Sequence, residues 1–226
     1  MEPGEPEAGR PADGPHERAF DAQFAAILAG LVAGDETPLA RLFAETRDPP
    51  PRIVWDPATE ALPDPTLRTV HACWNALRAG RAMPDWGDLK AETLGVDLVH
   101  LAIVDPADGD DFRFVVYGSA VTSAALRDYR GETVREMGLR ARTPGPVLYR
   151  AVYAMMVRRP VPVCTWNAAP PWQDVAGWNR LVVPFAHPDG DGLRFVSCIK
   201  GEGNRAAPPE VRREGRARLA DRPKRP

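Results

Sequence analysis

The strongest constraint in this sequence is a change of hydrophobic period near residue 96. Upstream, apolar residues recur at three- and four-residue steps; downstream they alternate. Residues 98–104 are rich in aliphatic side chains, and Pro106-Ala107-Asp108-Gly109-Asp110 supplies a turn. Phe112, Phe114 and Val116 then alternate with Arg113, Val115 and Tyr117. Two strands joined by a tight polar turn make an antiparallel hairpin. Gly118 closes it. Residues 120–129 read as a short helix stopped at Arg130-Gly131, and residues 146–158 as a longer one with Val147, Val152, Met155 and Met156 on its apolar side. Strands follow at 161–166, 179–185 and 193–200, the last two joined by a turn rich in Gly and Asp. This order predicts an α+β fold, a five-stranded antiparallel sheet with helices on one face.

The upstream third is helical in spacing. Phe20, Phe24, Ile27, Leu28 and Leu31 form one stripe of a helix running from Phe20 to Val32, and Leu39, Leu42 and Phe43 a second over residues 38–45. Pro49-Pro50-Pro51 ends that helix. Ile53, Val54 and Trp55 follow in an extended, turn-rich stretch, able to dock elsewhere. Leu67, Val70, Trp74 and Leu77 restore a helical stripe up to Gly80. The expected organisation is a disordered N-terminus at 1–17, a helical extension and linker at 18–66, a folded domain at 67–200 and a basic disordered tail at 201–226. The two ends lack an apolar stripe and are rich in proline and charge, so they offer little to bury.

Composition excludes several classes. The net charge is −2, so no global field attracts nucleic acid, although the acidic start and the arginine-rich end differ in sign. In that end, Arg212, Arg213, Arg216 and Arg218 have no aromatic residues between them, and a solubilising tail is expected rather than a nucleic-acid contact. The apolar stretch at 24–34 is too short for a bilayer crossing of about 20 residues. A cytoplasmic location is expected, with no membrane partner. Cys73, Cys164 and Cys198 are far apart and odd in number, as in a reducing compartment. His16, His71, His100 and His187 are isolated from paired ligands, so no metal site is expected.

Four segments carry a family resemblance. Residues 74–84 form a Trp, Leu-Arg, Gly-Arg and Pro series. Residues 112–119 end in Gly118-Ser119, residues 126–134 contain Tyr129-Arg130-Gly131, and residues 180–185 read Arg-Leu-Val-Val-Pro-Phe. In this order they resemble a bacterial PAS domain family, found largely in alphaproteobacteria and long catalogued as a domain of unknown function. The match covers residues 67–200. Ser119 stands where that family more usually has Thr, and Tyr129 and Arg130 where it has Leu and Thr. The resemblance implies the PAS fold and a sensory, signal-transduction role.

Such a fold implies a pocket between the inner face of the sheet and the helices. Strand alternation and the helix stripe nominate Phe112, Phe114, Val116, Val152, Met155, Met156, Leu181, Val183 and Phe195 for its lining, with Tyr129 and Trp166 as aromatic edges. Trp172 and Trp178 add large amphipathic rings suited to a pocket, an interface or a core. The lining is therefore expected to be nearly all apolar. No nucleophile elbow or acid–base pair is found, and Asp105, Asp108, Asp110 and Asp111 surround Gly109 as a hairpin turn does. No catalytic residue and no resident cofactor are expected. The crossing helix lacks a histidine for haem, and Cys164 falls on a strand rather than in a flavin-type helix motif. The function expected is a sensory module that binds a small molecule or mediates protein–protein interaction. It would form a homodimer through the helix from Phe20 to Val32 and meet an unidentified signalling partner. The alternatives are an isomerase- or dehydratase-like enzyme on a curved-sheet cavity fold, and a purely structural interaction domain.

Overall fold

The computed structural model describes residues 14–90, 93–190 and 192–220. Helix α1 (Pro15–Ala33) starts at a proline in its first turn and stops at Gly34, whose left-handed backbone returns its N–H to Gly30 and Leu31. Helix α2 (Thr37–Glu45) follows, then strand β1 (Arg52–Trp55). Helix α3 (Pro65–Arg78) is capped by Asp64, whose carboxylate accepts from the Thr66 N–H at 2.7 Å. The hairpin β2 (Leu101–Ala107) and β3 (Asp111–Tyr117) leads to α4 (Ser119–Ala125), α5 (Val134–Ala141) and α6 (Gly145–Arg158). Strands β4 (Val163–Ala168), β5 (Gly177–Ala186) and β6 (Leu193–Glu202) complete the sheet, and α7 (Pro209–Ala220) ends the described chain.

All strands pair antiparallel, in the order β1-β4-β5-β6-β2-β3. The sheet therefore has six strands, not five. The extra one is β1, where Ile53 and Trp55 turn into the core and Val54 outward, 50 % exposed. Nor are the helices on one face only. The inner face, with Val104, Phe112, Val182 and Phe195, packs under α4, α5 and α6; the outer face, with Leu181, Val183, Phe185 and Val196, packs under α3. Trp74 of α3 fixes that outer layer by donating its indole N–H to the Pro184 carbonyl at 2.7 Å. Strand β5 is consequently buried along almost its whole length.

Helix α6 is buried between the sheet and α1. On one side the Tyr153 hydroxyl meets the Ser197 hydroxyl of β6 at 2.7 Å. On the other, Arg150 pairs with Asp21 of α1 at 2.8 Å and lies over the Phe24 ring at 4.0 Å. Arg135 grips the same carboxylate from α5 at 2.7 Å. The α1 stripe of Phe20, Phe24, Ile27, Leu28 and Leu31 is thereby buried within this chain. At about 1.5–3 kcal/mol for each fully buried side chain, it contributes substantially to the core. The apolar face from Phe20 to Val32, expected to carry a homodimer, is thus covered within the chain, and Val32 is its exposed end. Phe20 approaches α5 so closely that a Cβ on Gly138 would lie 2.1 Å from its ring.

The ends also differ from expectation. Residues 1–13 lie outside the described residues, but Pro15–Glu17 already belong to α1. The tail expected to be unfolded forms α7 over residues 209–220, and residues 221–226 lie outside the described residues. Among the described residues no helix is long and apolar enough to cross a membrane.

Candidate functional site

All six strands, with α1, α2 and α4 to α6, contribute to one large body of side chains, but they do not fill it evenly. Beneath the middle of α6 the packing is dense. Phe112 and Phe195 sit 6.0 Å apart, each tilted against Tyr153 at 5.3 and 5.4 Å. Toward the start of α6 a cavity of about 280 Å³ opens instead. Its floor is the inner face of the sheet, with Tyr117, Asn167, Trp178, Arg180 and Ile199. Val121, Tyr129, Met137 and Tyr149 form the helical side.

The C-terminal segment makes the remaining wall. Trp172 and Gln173, in the loop between β4 and β5, border the cavity together with Arg218 and Leu219 of α7. Helix α7 can press on Trp172 because position 215 is glycine; a Cβ there would fall 2.4 Å from the indole. Arg218 lies over the same indole at 5.1 Å, and Arg127 donates to the Leu219 carbonyl at 3.0 Å. Arg212 pairs with Asp174, and Arg205 donates to the Ala169 carbonyl at 3.0 Å, tying the segment to the β4–β5 loop.

Arg180 is the unusual member of the lining. It is 7 % exposed, projects from the middle of β5, and has no ion-pair partner among the described residues, while Nε and Nη1 lack hydrogen-bond acceptors. Its guanidinium stacks on Tyr149, 3.5 Å from the ring centre. Burial by itself lowers the pKa of this guanidinium, but the phenols of Tyr149, Tyr153 and Tyr117 outweigh that, so the group stays charged. The same burial raises the phenol pKa of Tyr117, Tyr129 and Tyr153 above the ordinary value, which leaves them neutral hydrogen-bonding groups.

A further donor accompanies it: the Trp172 indole N–H is unpartnered at the cavity wall. Thr165, opposite Arg180 across the β4–β5 pair, has an unpartnered hydroxyl but lies outside the lining. The amide acceptors nearby are engaged: Asn167 Oδ1 accepts from the Tyr149 hydroxyl at 3.1 Å, and Gln173 Oε1 accepts from the Trp178 indole at 2.8 Å. The site has a surplus of donors and one deeply buried positive charge with no ion-pair partner among the described residues.

Of the residues nominated from sequence, Tyr129 lines this cavity. Phe112, Phe114, Val152, Met156 and Phe195 fill the closed core beside it, with Met155 half-buried at its edge. Leu181 and Val183 face the other way, under α3. Trp166 also lies on that outer face, beneath Arg52 at 5.0 Å. Val116 is turned aside by a bulge: the β2–β3 register slips at Ile103/Val104, so Val115 is the extra residue and Tyr117, not Val116, enters the cavity. Trp172 and Trp178, two further aromatics suited to a pocket, also line it. Arg180, Tyr149 and Asn167 are not anticipated from the sequence. The signal for Arg180 was its position two residues before Val182 on a strand, which puts both on one face.

Among the described residues no group of His, Cys, Asp or Glu has the arrangement to hold a metal ion. Compared with family models and with curated proteins, the sequence matches none of either.

Proposed function

We propose that this chain is a PAS-type sensory module of the cytoplasm, which takes a small molecule into the cavity beside Arg180 and passes occupancy on to a signalling partner. The element order over residues 101–202 supports the reading: a hairpin, three helices, then three strands, with the last strand beside the first. Two of the segments that carry the resemblance also have clear local roles. Gly118 lets the chain leave β3 against the Val99 carbonyl, which a Cβ would approach to 2.3 Å, and Gly131 turns with a φ of +83°.

The observation that carries the proposal is the place of the cavity. It lies between the inner face of the sheet and the crossing helices, and its outer wall is the partly exposed helix α7. A molecule bound there touches an element that a partner can also touch. Occupancy would shift the balance between packed and loosened α7, which is a signal in the thermodynamic sense. The enzyme alternative would need an acid–base pair; the carboxylate of this lining is Asp48, and among the described residues no histidine lines the cavity with it.

Native mass spectrometry of the purified chain beside a denatured control tests the proposal. A small-molecule mass that is released on denaturation is the expected result. Protein that carries no extra mass, and whose melting temperature no metabolite in a broad panel raises, would overturn it.

A further inference from the structure

We infer that the cavity is a site for a small organic monocarboxylate, anchored at its carboxylate by Arg180 and enclosed at its apolar end by the aromatic wall. The inference rests on the sensory reading in that both require a ligand in this cavity, but it commits to the chemistry of that ligand.

The charge argument comes first. A guanidinium buried in the middle of a sheet loses most of its hydration, and structures normally return that loss through a carboxylate or a set of carbonyls. Arg180 has Tyr149 alone, through its ring face and a hydrogen bond to it, and no carboxylate. Aromatic stacking leaves the in-plane N–H groups unsatisfied, and Nε and Nη1 are unpaired. With the Trp172 N–H of the cavity wall also unpartnered, the lining offers donors where a ligand must bring acceptors. A planar fork of donors is best matched by a carboxylate.

Size and depth of charge narrow the class. Arg180 is the sole cation of the lining that is deeply buried; Arg142 and Arg218 are exposed, on the loop before α6 and on α7. One buried positive charge neutralises a monoanion and leaves a phosphate dianion half compensated. Beyond Arg180 the lining turns to Tyr129, Trp178 and Ile199, surfaces suited to an aromatic or branched aliphatic body. A volume of about 280 Å³ is at the small end of ligand pockets, which run from roughly 300 to 1,000 Å³, so the body is compact.

The test uses the full chain with isovalerate, benzoate, phenylacetate and indole-3-acetate, each beside its uncharged amide, and with inorganic phosphate. Calorimetry and thermal shift at pH 7.5 are the readouts. At least one acid is expected to bind saturably, and its amide at least tenfold more weakly. Arg180→Met should abolish that binding while the unliganded variant melts no lower than the parent, since an uncompensated charge has been replaced by an apolar chain of similar length. If Arg180→Met does not fold, Arg180→Lys keeps the charge without the fork and should weaken binding of the same acid at least tenfold.

An amide that binds as well as its acid, tight binding retained by both variants, or phosphate bound in preference to every acid would overturn the inference. A neutral molecule released in native mass spectrometry would overturn the carboxylate and leave the sensory reading standing. Failure of every acid, together with no released mass, would remove both.

Discussion

The guanidinium carbon of Arg180 lies 3.5 Å from the centre of the Tyr149 ring, whose hydroxyl in turn donates to Asn167 Oδ1 at 3.1 Å. The start of α6 is thereby connected to β5 by a stacked cation and to β4 by a hydrogen bond. The two connections separate under mutation. Tyr149→Phe keeps the ring and should cost about 1 kcal/mol for the lost hydrogen bond. Tyr149→Leu also removes the aromatic face and should cost a further ~0.5–2 kcal/mol. Urea denaturation of the three proteins measures both steps, and equal losses in the two variants would mean that the stack contributes nothing.

Gly118 is constrained by space rather than by its dihedral angles, which are ordinary at φ −61°. A Cβ would sit 2.3 Å from the Val99 carbonyl oxygen, and backbone cannot swing aside as a side chain can. Gly118→Ala should lower stability by about 1–3 kcal/mol, the usual cost of overpacking. An unchanged denaturation midpoint would contradict the packing at the end of β3.

Asp21 clamps α1 onto α5 and α6. Burial raises the pKa of its carboxyl, but the hydrogen bonds and charges of Arg135 and Arg150 outweigh that and hold it below the ordinary aspartate value. The folded state therefore binds this proton less readily than the unfolded chain. The stabilisation is present above about pH 3.9 and fades as pH falls through the lower folded-state value. Asp21→Asn should be less stable than the parent at pH 7, with the gap closing in acid. A gap that stays constant from pH 7 to pH 3 would count against the clamp.

Two of the three thiols are shielded. Burial pushes the Cys164 thiol up to about 11 and the Cys198 thiol up to about 12, both on the outer face beneath α3, whereas Cys73 is half-buried. The thiolate is the reactive form, so folded protein at pH 8 should titrate one thiol quickly with a disulfide reagent and the other two only on unfolding. Three fast thiols would show that α3 does not cover that face.

Helix α7 closes one wall of the cavity with Leu219 and covers Trp172 through Gly215. A chain ended at residue 208 should show red-shifted tryptophan emission. Its melting temperature should fall by a few degrees, since roughly 1 kcal/mol moves a chain of this size by about 2–4 °C. Emission unchanged from that of the full chain would detach α7 from the wall.

The sequence was most legible where a single face or a single turn decides the structure. The hairpin at β2 and β3 and the stripes of α1 and α3 follow from periodicity and turn chemistry alone. The helix expected over 120–129 with its stop at Arg130-Gly131 ends instead at Ala125, where Leu126 takes the left-handed cap conformation. Legibility fails where both faces of an element are apolar. In β5, Trp178 and Val182 face the cavity side while Leu181, Val183 and Phe185 face α3, so alternation gives no sign of which set is inward. The choice of Leu181 and Val183 put Arg180 outside, and with it the polar centre of the cavity. At Val116 one bulged residue reversed the pattern, and nothing local in Phe114-Val115-Val116-Tyr117 marks it. Ile53 to Trp55 were readable as extended but not as a sheet edge, because their partner is β4, far along the chain. The tail was misread because α7 is held by isolated residues, Gly215 and Leu219, rather than by a stripe.

That remote pairing of β1 has a consequence for how the chain is made. Trp55 pairs with Val163, and Arg52 with Trp166. On the ribosome β1 emerges long before its partner and must wait while the hairpin and the crossing helices are synthesised, because non-local pairing is slow and late. Its brevity and the polar, proline-rich residues on either side limit the hazard, since a long apolar strand left unpaired for that interval would invite association with neighbouring chains. The edge of the sheet therefore closes only after residues 163–166 have emerged, and β6, later still, must then join β5 to β2.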